Sequence, residues 1–352
     1  MLAAALFLPC PVQAVSAQKA ILLDSGTGRA LYQKNADSKS LIASTTKIMT
    51  ALVVCEQCNV LDRMRIPREA VGIEGSSMYL REGEVLTLQE LLYGLMLHSG
   101  NDAAVALAIY CGGTVEGFAQ LMNDKAHRLG LSGTHFENPH GLDSPGHYSN
   151  ARDLAVLAAY AMKNPIFAKT VSTKQVRIGE RYLTNHNKLL WRVPGADGVK
   201  TGFTKAAGRI LVSSASRDGR RLICVTINDG NDWADHAALL EEGFSRYTLR
   251  QVLSAGDCVG SVEVAGGQKK RVRLLAQTGV SYPLAADETV SILLSGPGFA
   301  YAPVVQGEQA GVAYVCIGDA CVAKVPIVYD ETIEMEETQK KPFWKRLLGG
   351  SS

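Results

Sequence analysis

Ser44 and Lys47 stand three residues apart at the head of an apolar run, Ile48 to Val54, with Thr45 and Thr46 between them. The run is too uniformly apolar for a surface helix, so it is read as a buried one. On a helix, a spacing of three stacks two side chains about one turn apart on one face, and a hydroxyl and an amine then touch. A helix start also leaves backbone N–H groups free and carries the positive end of the macrodipole. Both favour negative charge developing beside Ser44. Those are the requirements of an activated serine nucleophile. Ser-x-x-Lys also serves ordinary helix starts, because Ser caps well and Lys is a good helix former, so the pair alone proves little.

Two further polar segments follow, Ser99-Gly100-Asn101 and Lys200-Thr201-Gly202, and the elements around them decide whether they can converge. Leu88, Leu91, Leu92 and Leu95 give Thr87–Leu97 helical spacing, and Ala103–Tyr110 is again helix-like and apolar. Ser99 and Asn101 are therefore expected in a short connection between two buried helices. Val199–Phe203, Gly208–Ser216 and Arg220–Asn228 read as strands, the last two joined by the hairpin signal Arg217-Asp218-Gly219. Lys200-Thr201-Gly202 then lies on a strand, where Gly202 lets another backbone approach.

Upstream, Lys19–Asp24 and Ala30–Lys34 flank Ser25-Gly26-Thr27-Gly28-Arg29 as a β-hairpin. Arg63–Gly83 reads as irregular surface structure. Phe118–Leu129 and Ala151–Met162 read as amphipathic helices separated by turn chemistry from Asn138 to His147, and Leu239–Tyr247 as a closing helix. Hairpin, helices, then antiparallel strands make an α+β pattern, an antiparallel sheet covered by helices. From about Gln251 short alternating runs punctuated by glycine predict a small all-β C-terminal domain.

The 352 residues leave room for two domains, and a formal net charge of +2, with no basic stripe interleaved with aromatics, gives no nucleic-acid partner. Apolar Leu2–Leu8 followed by Val15-Ser16-Ala17 suits a signal peptide cut before Gln18; the run is too short to span a bilayer. The expected layout is a signal peptide at 1–17, a catalytic domain at 18–250, a β-rich domain at 251–329 and a tail at 330–352. In the tail, Phe343, Trp344, Leu347 and Leu348 share one face of a short helix that would make peripheral contact with membrane lipid.

With its three motifs in this order, the chain resembles the low-molecular-mass penicillin-binding proteins, specifically the serine D-alanyl-D-alanine carboxypeptidases. The resemblance also covers Ala20–Gly28, Asn138-Pro139-His140-Gly141-Leu142-Asp143 and the β-domain with its tail. It implies the fold shared by serine β-lactamases and DD-peptidases. It further implies an exported enzyme at the outer face of the cytoplasmic membrane that trims the last D-alanine from peptidoglycan stem pentapeptides and is acylated by β-lactams.

Acylation needs a base beside Ser44, and Lys47 is the candidate that local geometry fixes; burial and the Lys200 cation are expected to depress its pKa. Ser99 is placed to relay a proton to the leaving D-alanine, and Asn101 to orient Lys47 and the substrate amide. Lys200 and Thr201 would hold the terminal carboxylate, on a strand that also lines the acyl chain. By the resemblance, the oxyanion-hole N–H groups map onto Ser44 and Phe203, with Gly202 between Thr201 and Phe203.

Other conspicuous residues are read as carrying no chemistry. His98, His140, His147, His186 and His236 lack metal-binding spacing, so no metal and no cofactor is expected. Cys55 and Cys58 are read as core thiols of the buried helix, and Cys316 and Cys321 as residues able to face each other across a hairpin. Three alternatives share the fold: a β-lactamase, a DD-endopeptidase and a non-catalytic penicillin sensor. The first lacks a convincing Glu-x-x-Leu-Asn segment before Lys200, and the last would have lost one of the residues found intact.

Overall fold

A computed structural model describes residues 15–337. The described chain divides at 245/246 into two compact units. The predicted signal segment up to residue 14 and the tail residues Phe343, Trp344, Leu347 and Leu348 lie outside the described residues. Val15 and Ala17 are described and buried, packed in a cluster with Leu239 and Leu240, while Ser16 Oγ donates to Asp229 Oδ1 at 2.6 Å.

The first unit is built on a five-stranded antiparallel sheet. Its strands are β1 (Lys19–Asp24), β2 (Ala30–Lys34) and, much later in the chain, β7 (Ala196–Thr204), β8 (Gly208–Arg217) and β9 (Arg220–Ile227), in the order β2-β1-β9-β8-β7. The central strands are apolar on both faces because both are covered. Ala20, Leu22, Leu222 and Cys224 meet α8 (Asp232–Arg246), and Ile21, Leu23, Ile223 and Val225 meet the helical layer on the other side.

That layer contains α1 (Lys47–Gln57), α2 (Leu88–Leu97), α3 (Asn101–Gly112), α4 (Val115–Arg128), α5 (Ala151–Ala161) and α6 (Pro165–Ser172). In α1 every residue from Lys47 to Val54 is buried, as the apolar run requires. Thr87 and Glu90 close a capping box at the start of α2, and Asn150 caps α5 through the Asp153 amide at 2.7 Å; each cap typically contributes about 1 kcal/mol.

Arg63–Gly83 corrects the sequence reading. It contains β3 (Arg63–Arg65), which pairs with β4 (Val85–Thr87), and it buries Ile66, Ala70, Met78 and Leu80. The hairpin β5 (Gln175–Ile178) and β6 (Arg181–Thr184), helix α6 and the single turn α7 (Leu189–Arg192) occupy a stretch to which the sequence assigned nothing. Cys55, in the last turn of α1, and Cys58, just past its end, are only partly buried; Cys58 Sγ lies 2.9 Å from Cys111 Sγ at the end of α3.

The second unit is all β. A six-stranded sheet in the order β14-β16-β17-β12-β11-β15 comprises β11 (Cys258–Ala265), β12 (Arg271–Ala276), β14 (Val290–Ser295), β15 (Phe299–Tyr301), β16 (Gln309–Ile317) and β17 (Ala320–Tyr329). A separate pair joins β10 (Thr248–Leu253) to β13 (Val280–Leu284). Cys316 and Cys321 form a disulfide across the β16–β17 hairpin. Residues past Tyr329 stay with this unit: Ile333 is buried and bridges Val304, and Met335 bridges Gly267. Among the described residues no single helix is long and apolar enough to cross a membrane.

Candidate active site

Ser44 lies in a 3-10 turn, Ala43–Thr46, that runs into α1 at Lys47. The sequence reading placed both residues on one α-helical turn; the tighter turn serves better, because three residues per turn eclipses side chains at i and i+3. Lys47 Nζ is 3.1 Å from Ser44 Oγ. Gly202 of β7 packs on this turn so closely that a Cβ there would stand 3.2 Å from the Thr45 nitrogen and 3.3 Å from the Ser44 nitrogen. The close backbone approach expected of Gly202 is thus made to the nucleophile's own peptide.

Lys47 is fully buried, and its Nζ has two further partners, Asn101 Oδ1 and the His140 carbonyl oxygen, both at 2.7 Å. Burial, and after it the Lys200 cation, holds its pKa well below the usual lysine value, against a smaller opposing pull from Asp102. A neutral amine has two N–H groups and one lone pair. Asn101 Oδ1 and the His140 carbonyl accept only, so they take the N–H groups and leave the lone pair for Ser44. Asn101 cannot rotate to present its amide nitrogen instead, since Nδ2 donates to the Glu74 carbonyl.

Two braces hold this triangle. Asp102, next to Asn101, is buried; its carboxylate accepts from Ser77 Oγ at 2.6 Å, the Ala103 amide at 2.9 Å, and the Met78 and Leu80 amides at 3.0 Å. That set pulls residues 77–80 onto the head of α3. On the other side Asn138 Oδ1 accepts from the Gly141 amide at 2.7 Å, and Thr50 Oγ1 donates to the Pro139 carbonyl at 2.6 Å. Gly141 has φ +88°, and a Cβ there would collide with the Ala43 carbonyl, so only glycine fits. His147 is buried beside Lys47's neighbour: its Nδ1 accepts from the Glu137 amide at 3.0 Å, which leaves Nε2–H to donate to Thr46 Oγ1 at 2.7 Å.

Ser99 precedes Asn101 in a left-handed conformation (φ 62°), one of two such residues at the site with Ala43 (φ 45°). A non-glycine residue held there is strained, and strain of this kind clusters at functional sites. Ser99 lines an open cleft of about 480 Å³ together with Ser44, Thr201, Gly202 and Phe203. Strand alternation separates the residues of β7. Lys200 shares the Gly202 face and is buried, with Nζ donating to the Thr201 carbonyl at 2.9 Å, and burial lowers its pKa to about 7. Phe203 is largely exposed. Ser44, Lys47 and Asn101 are thus joined by hydrogen bonds, Ser99, Thr201, Gly202 and Phe203 share the cleft wall, and Lys200 lies behind it.

Residues 8–231 match the family described as D-alanyl-D-alanine carboxypeptidase. The chain belongs to that family. Residues 247–335 match the penicillin-binding protein 5 C-terminal domain. The chain is 32% identical to D-alanyl-D-alanine carboxypeptidase DacF of Bacillus subtilis, a match covering 95% of this chain and 89% of that protein. It is 37% identical to D-alanyl-D-alanine carboxypeptidase DacD of Escherichia coli, covering 76% and 73%. Among solved structures, penicillin binding protein 5 from Haemophilus influenzae superposes with a TM-score of 0.78 at 29% identity, covering 92% of this chain and 99% of that one.

The carboxypeptidase cleft also contains residues that sequence reasoning missed. His186, Lys188, Arg209, Asp232 and Trp233 also line it, with Ser76 and Ile210. Burial of the His186 ring, followed by Lys200 and His98, lowers its pKa to about 4. Arg209 and Asp232 come from the start of β8 and the start of α8, and no motif joins them. His140 stands within the Asn138–Asp143 segment and Asp102 directly after Asn101, but the first acts through its backbone carbonyl and the second as a brace.

Proposed function

We propose that the protein removes the terminal D-alanine from peptidoglycan stem pentapeptides through an acyl-enzyme on Ser44. Lys47 carries this assignment: a buried amine, held neutral, with both N–H groups engaged and its lone pair free for the Ser44 hydroxyl. Lys47 takes the Ser44 proton as Oγ attacks the carbonyl carbon of the penultimate D-alanine. The oxyanion that forms is held by the N–H groups of Ser44 and Phe203, and Thr201, at the cleft wall, holds the substrate's terminal carboxylate with the charge of Lys200 behind it. The proton passes through Ser99 to the nitrogen of the leaving D-alanine, the C–N bond breaks, and an ester to Ser44 remains. Water then attacks the ester, Lys47 accepts its proton, and Ser44 is restored.

A β-lactam offers a strained amide to the same nucleophile, and its ring-opened acyl group stays attached to Ser44. Peptidoglycan lies outside the cytoplasmic membrane, so this role goes with export, and the apolar tail residues Phe343, Trp344, Leu347 and Leu348 would make peripheral contact with lipid. The test is D-alanine release from a peptide ending in D-Ala-D-Ala, with Ser44→Ala as its control. Release that disappears in a folded Ser44→Ala variant supports the reading. Undiminished release in that variant, or none from the intact protein, overturns it.

A further inference from the structure

Three charged groups of the cleft lining, Lys188, Arg209 and Asp232, have no part in the steps above. Arg209 opens β8, its side chain 46% exposed, and grips Asp232, whose side chain is only 5% exposed. Arg209 Nη2 donates to Asp232 Oδ1 at 2.7 Å and Oδ2 at 2.9 Å, and Nε donates to Oδ2 at 3.2 Å. Asp232 Oδ1 also accepts from the Trp233 amide at 2.9 Å, so the carboxylate is fixed in turn. The guanidinium is held by one edge, and Nη1 has no hydrogen-bond partner among the described residues. Trp233 flanks the pair, its ring 5.9 Å from Arg209 Cζ and 6.0 Å from Lys188 Nζ. Among the described residues lining the cleft Asp232 is the one carboxylate, and Arg209 occupies both its oxygens. This end of the cleft is therefore built to receive an anion.

The β7–β8 register says which part of a substrate lies there. Arg209 pairs with Phe203, two residues along β7 from Thr201, a rise of about 7 Å. This step rests on the carboxypeptidase reading: with the terminal carboxylate at Lys200 and Thr201 and the scissile carbonyl at the Phe203 amide, the substrate's upstream residues run on past Phe203 toward Arg209. The first side chain in that direction long enough to reach the wall belongs to the residue before the two D-alanines.

We infer that Arg209, oriented by Asp232 and flanked by Lys188 and Trp233, is a specificity site for a free carboxylate on the side chain of the stem peptide's third residue. A side chain ending in an ammonium would meet Arg209 with like charge, and a carboxamide would offer Nη1 only a neutral carbonyl oxygen. A charge-assisted hydrogen bond from Nη1 is the feature that separates the carboxylate from the other two.

Acetylated peptides X-D-Ala-D-Ala test this, with X diaminopimelic acid, its side-chain carboxamide, or L-lysine. The intact enzyme is expected to show kcat/KM for the carboxylate peptide about tenfold or more above the other two. The ratio should shrink as salt is raised. Arg209→Gln should bring it close to one, and Arg209→Lys, a point charge without the planar fork, should keep only part of it. Arg209→Gln leaves Asp232 buried and unpaired, so the double variant Arg209→Gln, Asp232→Asn is the control for folding and should show the same collapse of the ratio. Equal rates on all three peptides in the intact enzyme, or a preference that survives the double variant, overturn the Arg209 site alone. No release from any peptide overturns the carboxypeptidase reading, and this site with it.

Discussion

Asn101 Oδ1 accepts a hydrogen bond from Lys47 Nζ at 2.7 Å, and this contact decides where the lysine's lone pair points. Replacing the amide by a carboxylate keeps its shape and reverses its effect on the amine. In Asn101→Asp the new anion raises the Lys47 pKa, so the base is protonated at neutral pH. Activity at pH 7 is expected to fall by about 10²-fold or more, in line with loss of a general base. The acid limb of the kcat/KM profile should move to higher pH. A profile that keeps its acid limb while losing amplitude would contradict the claim that Asn101 acts through Lys47.

Lys200 is expected to give the profile its alkaline side. Burial brings its pKa to about 7, so its cation is present below that value and lost above it. If that cation holds the substrate's carboxylate, kcat/KM declines above about pH 7, tenfold per unit for loss of one proton. Lys200→Arg, whose guanidinium stays charged, should carry the decline more than one unit higher. An alkaline limb unmoved in the arginine variant assigns it to another group.

Two buried histidines, His147 and His236, contribute to the acid stability, beside His140 and His186, which burial also lowers to about 4. Burial lowers His147 to about 4 and His236 to about 3; His236 is wedged between Ser213 Oγ at 2.6 Å and Thr226 Oγ1 at 3.0 Å. In the unfolded chain both titrate near 6.5, so unfolding takes up protons below that pH. Stability is full above pH 6.5, falls as the pH drops toward 4, and levels off below the folded-state values. With two protons taken up, His147 and His236 contribute about 2–3 kcal/mol per pH unit to the slope between pH 5.5 and 4.5. Urea unfolding at pH 7, 5.5 and 4.5 measures the total slope, and His236→Gln should lower it by about 1.4 kcal/mol per pH unit. A flat profile over this range refutes the burial argument for both residues.

How much of this was legible depended on whether a contact is local. Ser44 and Lys47 are three residues apart, and Gly202 sits inside a strand, so spacing and residue type carried their roles. The strands and the helices on either side of Ser99–Asn101 were legible because their apolar periods were regular. Arg63–Gly83 lacks such a period. Met78 and Leu80 are held there by the Asp102 carboxylate, more than twenty residues away, and only the folded chain brings them together. The His140 carbonyl is a backbone atom, which no side-chain pattern can mark. Arg209 and Asp232 meet because a strand and a helix start side by side, and that pairing is a property of the sheet's register.

The most direct test of a nucleophilic Ser44 served by Lys47 is the mass of the protein after incubation with benzylpenicillin, followed by peptide mapping. Ring opening transfers the whole drug, so the account predicts a single adduct of the drug's full mass on the peptide containing Ser44. It should be absent in Ser44→Ala and strongly slowed in a folded Lys47→Ala variant. An adduct on any other residue, or one that forms at an undiminished rate without Lys47, would contradict it.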